Sequence, residues 1–422
     1  MSKIVFSCMP NMSVIKKGAM DSFFQNIVDA LKDNGNDVFL LRMDLEWKND
    51  WFSKKQLEKV LKFNPDLIIT PNHNVPLALL EKTDCPVIAY TADSPAYFRN
   101  QDYIRKNAER YLFMHGGWEN IFPKILKQNF GIKDEQNFFA GHMTAVKAKE
   151  CEIKRNIGFI GFIGWGNSCL NDFKKKFKDN QTFHDEIQKA EDAGINSIPF
   201  TQVKTSNIRI KTLDALVDLG LECFGIPGNF LNCGGYSWEL MKTFNFTPVV
   251  TTQATEEILN SSLISPNLYN YQAPLGMSWR IADVMASNAC LISPPKPDLK
   301  RISPYIDIPT YESPAECREL CQKLLKDEAW RKDIVAGCQK AIDDLELRPV
   351  HLLKIIEKNA HIPMVNPNEK KGILINVIVS RPSVVIKSDQ ADAKKAVYSL
   401  KYKMYYKLWK HLNKRLKKKG II

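Results

Sequence analysis

The sequence predicts an α/β protein of two Rossmann-like domains facing each other across a cleft, followed by a C-terminal basic amphipathic helix. Three observations carry this prediction. Short apolar runs alternate with amphipathic stretches through residues 1–150, the pattern of βαβ units and a parallel sheet. A second set of such units opens at Asn156 with NIGFIGFIG. Between Lys394 and Ile422 eleven residues are basic and none is acidic.

In the first half, Lys3–Cys8 (KIVFSC) is a strand, and Ala19–Lys32 is a helix with Phe23, Phe24, Ile27, Val28 and Leu31 on one face. Asn34-Gly35 ends that helix, and Asp37–Arg42 begins the next strand. Leu57–Phe63 reads as helical, and Pro65-Asp66 introduces a strand over Leu67–Thr70. Pro86–Thr91 and Arg110–His115 are further strands. In the second half, Glu222–Gly225, Leu263–Ser265 and Cys290–Ser293 are strands, with a helix over Trp279–Ser287 between the last two. Pro314–Lys326, Ala329–Leu345 and Pro349–Asn359 close it as helices. The organisation read from these elements is 1–150, 151–345, a closing helix at 346–362, a β-prone linker or hairpin at 363–393, and a tail at 394–422. Within the β-prone part, Ile373–Val379 and Val384–Ile386 form either a hairpin or added edge strands.

Composition narrows the class. At 422 residues the chain is long enough for two or three cores, and 44% hydrophobic with 25% charged residues is ordinary for a soluble protein. No run approaches the roughly 20 apolar residues that span a bilayer. The start, MSKIVFSCMP, goes straight into a strand-like run without the basic and apolar regions of a signal peptide, so a cytoplasmic protein is expected. Ten cysteines carry no metal-ligand spacing and read as buried thiols; Cys317 and Cys321 lie one helical turn apart. No metal site is expected.

The most informative segment is Gly276–Ser293, GMSWRIADVMASNACLIS. A loop with Gly276 and Ser278 leads into a helix bearing Arg280 and Asp283, three apart and on one face. Amide groups at a helix start favour phosphate, arginine can fork two phosphate oxygens, and a carboxylate can accept both ribose hydroxyls. The structural alternative is a surface Arg–Asp pair on a helix capped by Ser278. This Gly-x-Ser-x-Arg-x-x-Asp run, continued by Val-Met-Ala-Ser-Asn-Ala-Cys-Leu-Ile, resembles the late motif of GT-B glycosyltransferases. It is most similar to the CgeB-like (spore maturation protein) group. Arg280 matches that group's Arg, Asp283 stands where it usually has Glu, Ala286 matches its Ala, and Asn288 replaces its usual Gly. Pro65-Asp66-Leu-Ile-Ile and Pro86-Val-Ile-Ala-Tyr-Thr-Ala-Asp93-Ser94-Pro95 are similar to segments of the group's N-terminal domain. Asn156–Gly166 resembles the turn opening its C-terminal domain, and Arg348 an Arg near its final helix. The resemblance covers roughly residues 1–360.

The resemblance implies a nucleoside-diphosphate sugar as donor, no other cofactor, and a diphosphate stabilised by helix dipoles and basic side chains rather than metal. Gly161, Gly164 and Gly166 follow a strand and could let backbone approach a pyrophosphate; a tight turn is the alternative. His73, Asp93 and His115 follow strands in the first half and could line the cleft. Asp93 is the first candidate for acceptor orientation or base, with an Asx-turn before Ser94-Pro95 as its structural alternative, and His115 is second. His142 lies near the domain junction. Asp343-Asp344 reads as a solvated helix face.

The tail completes the picture. On a helical wheel Val397, Leu400, Met404, Leu408, Leu412 and Leu416 form a stripe edged by Tyr398, Tyr402, Tyr405 and Trp409. Lysines 403, 407, 410, 414 and 417 lie opposite, while Lys401 and Arg415 intrude on the apolar arc. Such a helix fits an anionic membrane surface, or packs on the protein itself or a second copy. Outside it the chain carries 48 basic against 47 acidic residues, with no basic groove, so nucleic acid is not an expected partner. The reading is therefore a sugar transferase acting on a glycan or lipid-linked acceptor at the inner membrane face. Its alternative is a non-catalytic nucleotide-sugar-binding or interaction protein of the same fold.

Overall fold

A computed structural model of the chain describes residues 2–8, 22–43, 52–91, 95, 98, 100–118, 121–163, 198–225, 237–245, 247, 249–271, 275–366 and 370–379. Asp93, Gly164, Gly166, Val384–Ile386 and the tail at 394–422 lie outside the described residues. Met1–Val379 forms one compact unit, and it contains two parallel sheets.

The first sheet is built from β1 (Lys3–Cys8), α1 (Ser22–Asp33), β2 (Asp37–Met43), α2 (Lys54–Phe63), β3 (Leu67–Pro71) and α3 (Leu77–Leu80). It continues through β4 (Val87–Thr91), α4 (Gln101–Lys106), β5 (Tyr111–His115), α5 (Phe122–Phe130) and β6 (Asn137–Phe139). β3 and β4 are buried at every position. They therefore read as continuous apolar runs rather than alternating ones, as strands covered by helices on both faces must. α1 forms because its apolar residues fall on one face, and Phe23, Phe24, Ile27, Val28 and Leu31 are all buried there. Each such side chain contributes about 1.5–3 kcal/mol relative to exposure. α2 is closed at both ends by local chemistry: Ser53 and Gln56 make a reciprocal capping box, and Asn64 ends the helix in the left-handed conformation.

The second sheet comprises β7 (Arg155–Ile160), α6 (Ile198–Asp214), β8 (Leu221–Phe224), α7 (Trp238–Lys242), α8 (Thr252–Asn260), β9 (Ser262–Pro266), α9 (Trp279–Met285) and β10 (Cys290–Ile292). Two helices, α10 (Pro314–Lys326) and α11 (Glu328–Asp344), pack beside it, burying Cys317, Cys321 and Cys338 in its core. Its strand order is β10-β9-β7-β8. The sequence-based elements agree with these within a few residues. The elements α3, α4, α5, β6, α7 and α8 have patterns too short to stand out in the sequence, and α6, though 17 residues long, is missed because its apolar residues do not gather on one face.

The chain then returns to the first sheet. α12 (Pro349–Ala360) buries Leu352, Leu353 and Ile356 in the same core as α1 and β1. β11 (Leu374–Val379) pairs in parallel with β2 and becomes an edge, giving the order β11-β2-β1-β3-β4-β5-β6. Of the two readings of the β-prone stretch, this part is an added edge strand. Gly372 permits the approach, since a Cβ there would lie 1.8 Å from the Asn36 carbonyl oxygen. The first sheet thus takes strands from segments before and after the second sheet. Among the described residues no helix is long and apolar enough to cross a membrane.

Candidate functional site

In open α/β sheets ligands gather at the carboxyl ends of strands where the order reverses. Here those reversals fall beside β1 in the first sheet and β7 in the second. The Gly276–Met285 segment stands at this edge of the second sheet. Ser278 occupies the N-cap position of α9 yet makes no cap hydrogen bond. Its hydroxyl instead donates to Asn267 Oδ1 at 3.2 Å, just past the end of β9. The Ser278 cap of the structural alternative is therefore absent, because Asn267 competes for the hydroxyl. Asn267 also donates to Ser293 Oγ at 2.9 Å, which ties the ends of β9 and β10 together. The Met277 amide donates to Asp298 Oδ2 at 2.7 Å, and Gly276 is buried.

Arg280 and Asp283 share one helix face, with Arg280 Nη1 donating to Asp283 Oδ2 at 2.8 Å. They are not on an open surface: their side chains are only 23% and 16% exposed. Asp283 has a second partner, Thr144, whose hydroxyl donates to Oδ1 at 2.7 Å. Burial pushes the Asp283 carboxyl above its usual range, opposed by Arg280 and then by the Thr144 hydroxyl. The remaining guanidinium donors of Arg280 have no protein partner among the described residues.

Thr144 belongs to the segment joining the two sheets, and that segment is clamped along its length. Arg348 Nη1 donates to the Val146 carbonyl at 2.7 Å, and the Thr144 amide to the Leu347 carbonyl at 2.9 Å. The Lys147 amide reaches Glu256 Oε1 at 3.0 Å, and Lys149 pairs with the same carboxylate. Asn260 Nδ2 donates to the Lys147 carbonyl at 2.9 Å, and Asn288 Nδ2 to that of Lys149 at 2.8 Å. Asn288, the departure from the resembled motif, therefore holds the connection that a glycine could not.

Near the same strand ends lies a cationic pair, one member half-buried and the other buried. Arg209 on α6 donates from Nε to the Tyr269 carbonyl at 2.7 Å and from Nη1 to that of Phe162 at 2.6 Å. Burial pushes it down to about 10. Lys296, 9% exposed, is pushed down to about 8 by burial and then by Arg209, with Asp298 acting the other way. Composition and spacing did not single these residues out, because neither sits in a motif.

The first-half candidates are placed as follows. His115, at the end of β5, is fully buried; Nδ1 meets Thr91 Oγ1 at 2.6 Å and Nε2 meets Asn137 Oδ1 at 2.9 Å. Burial pushes it down to about 4, the Asn137 contact opposing, so it is neutral near pH 7. His73 is also fully buried, with Nε2 2.9 Å from the Tyr111 hydroxyl. His142 is 8% exposed and its Nδ1 lies 3.0 Å from the Tyr90 hydroxyl. Gly161 follows β7, its amide donating to the Phe224 carbonyl at 3.0 Å, so backbone holds this turn to β8. Asp344 pairs with Lys340 at 2.7 Å on an exposed face of α11, as read from the sequence. Among the described residues no three His, Cys, Asp or Glu side chains are grouped to hold a metal.

Comparison with known proteins bears on the same region. Residues 210–347 match the model of a family described as glycosyl transferase-like. No curated protein matches the chain significantly in sequence. Among solved structures, T4 phage BGT in complex with UDP and Mn2+ superposes with a TM-score of 0.53 at 14% identity, covering 85% of this chain and 100% of that one. Anabaena HepE in complex with UDP and glucose gives 0.52 at 12% identity, covering 86% and 100%. Sucrose-phosphate synthase from Thermosynechococcus elongatus gives 0.54 at 10% identity, covering 86% and 99%. At such identities the likeness is one of fold, and the fold is GT-B.

Proposed function

We propose that this GT-B chain transfers a sugar from a nucleoside-diphosphate donor to a hydroxyl acceptor. The observation that supports it most is the placement of Arg280, partly exposed and with donors to spare, at the carboxyl edge of the sheet whose residues 210–347 match the glycosyl transferase-like family. Structures of similar fold hold UDP or UDP with glucose, so UDP-glucose is the first donor to test. In this reading the diphosphate meets Arg280 and the positive potential of Lys296 and Arg209, and Asp283 is the group for the ribose hydroxyls. α9 has seven residues, so side-chain cations rather than its macrodipole carry the leaving-group charge. Gly161, Gly276 and Ser278 are the groups for the backbone approach, and Gly164 joins them in this proposal on its sequence position alone. The reaction is metal-independent in this proposal, and unchanged turnover in excess EDTA is the check.

On the acceptor side, Asp93 orients the acceptor hydroxyl and takes its proton where the transfer inverts. His115 supports that edge: its bond to Thr91 holds the end of β4, two residues before Asp93. The acceptor is a glycan or lipid-linked glycan, and residues 394–422 bring the enzyme to an anionic membrane at its inner face. Purified protein should release UDP from UDP-glucose with a glycan or glycolipid acceptor, and Arg280→Ala should abolish it. Donor binding without turnover across a panel of nucleotide sugars and acceptors would move the chain to the class of non-catalytic binders.

A further inference from the structure

Three consecutive residues of the donor loop are held from different sides. Ser278 is bonded to Asn267 and the Met277 amide to Asp298, both in the second sheet's layer. The residues flanking Ser278 also touch the first sheet's layer. Trp279 stacks at 4.7 Å, tilted by 32°, on Phe23 of α1, and meets Phe24 edge-on at 5.5 Å. The Met277 backbone lies beside the His142 imidazole. His142 in turn is bonded to the hydroxyl of Tyr90, which is 1% exposed near the end of β4. Phe23 closes the cluster, 5.6 Å from the Tyr90 ring and 6.5 Å from His142. Gly116, after β5, completes the fit, because a Cβ there would lie 2.2 Å from His142 Cε1 and 2.3 Å from the Tyr90 hydroxyl. Residues from α1, β4, the β5 end and the connecting segment thus converge on the loop that leads into Arg280.

We propose that His142, together with Tyr90 and Trp279, is a positioning latch that sets the register of the donor loop Gly276–Arg280 against the carboxyl edge of the first sheet. The inference rests on the proposed sugar transfer and goes beyond it by assigning the residues that align donor with acceptor. None of the three touches substrate in this assignment. Contacts from the second sheet keep the donor loop able to bind, and the latch places its sugar relative to the acceptor. Misplacement by about 1 Å costs about a hundredfold in rate without requiring weaker binding. A latch defect therefore separates kcat from KM, whereas general loosening of the fold moves both.

The test uses the full chain and three variants: Tyr90→Phe, which removes only the hydroxyl, His142→Ala, and His142→Asn, which keeps a polar group near Nδ1. Two readouts are needed: kcat and KM for UDP-glucose, and hydrogen exchange of the 275–286 backbone. Tyr90→Phe and His142→Ala are expected to lower kcat about ten- to a hundredfold with KM within about twofold. They should also speed exchange in 275–286, with His142→Asn recovering part of both losses. Unchanged exchange in 275–286 in Tyr90→Phe and His142→Ala would overturn the latch, as would a fall in kcat matched by a rise in KM that tracks a lowered melting temperature. If the wild-type chain turns over no donor, the proposed function fails, and the exchange measurement alone then decides whether these residues hold the loop.

Discussion

Thr144 Oγ1 donates a 2.7 Å hydrogen bond to Asp283 Oδ1, fastening the segment that joins the two sheets to the helix that carries Arg280. Asp283 therefore has two partners, the guanidinium three residues before it and a hydroxyl 139 residues away. Removing either leaves a buried carboxylate short of a hydrogen bond, a penalty of about 1–3 kcal/mol. Thr144→Val should lower stability by that amount in urea unfolding. In a double-mutant cycle with Asp283→Ala the two losses should fall short of additive by at least about 0.5 kcal/mol. Full additivity would show that the bond contributes nothing.

Asn288 supplies the second prediction. Its side chain bridges the Lys149 carbonyl and Gln339 Nε2, at 2.8 and 3.3 Å. Asn288→Gly should destabilise the chain by about 1–3 kcal/mol, through two lost hydrogen bonds and a freer unfolded backbone. Turnover at a temperature well below melting should be kept. A glycine variant as stable as wild type would mean that the clamp on the connecting segment lies elsewhere.

Acid should loosen the first sheet through its histidines. His115 and His142 are both held down to about 4 from 6.5, mainly by burial. The groups facing His115 are Thr91, Asn137 and Phe139; those facing His142 are Tyr90, Phe23 and the Met277 backbone, with no carboxylate among them. Below pH 6.5 the unfolded chain takes up protons that the folded one refuses, so stability falls as pH drops and the loss is complete near pH 4. Over that window each histidine costs a few kcal/mol, at about 1.4 kcal/mol for each tenfold change in proton affinity. Urea midpoints at pH 7.5, 6 and 5 should decline, and less steeply in His115→Gln. A flat profile from pH 7.5 to 5 would contradict the buried neutral state.

At the returning edge strand, Gly372→Ala would drive a methyl group into the Asn36 carbonyl, 1.8 Å away. Backbone cannot yield as a side-chain tip can, so β11 should detach from β2 at a cost of about 1–3 kcal/mol. Hydrogen exchange at 374–379 should then approach that of an unpaired segment. Retained protection there would rule out this docking geometry.

Deleting residues 394–422 is expected to abolish sedimentation with anionic liposomes while UDP-glucose binding stays unchanged. Each Lys or Arg near such a surface contributes about 1 kcal/mol, and the eleven in this segment act in the same direction. Liposome binding that survives the deletion would remove the membrane from the proposal.

The sequence by itself determined the pieces whose cause is local. The apolar run of Leu67–Thr70 and the helical spacing of Phe23, Phe24 and Ile27 follow from burial over a few residues, and both were legible. So was the shared face of Arg280 and Asp283, which the three-residue spacing alone fixes. Only the tertiary structure decided what those pieces meet. Thr144 against Asp283, Asn36 against the Met364 carbonyl 328 residues on, and His142 against Tyr90 are pairings with no periodic trace in the chain. His115 shows the difference most plainly: its place at a strand end could be read, but its neutrality comes from burial among Thr91, Asn137 and Phe139, which other strands bring to it. Local patterns set by sterics and hydrophobic period survive in one dimension, whereas desolvation and hydrogen-bond partners exist only once distant segments have closed around a group.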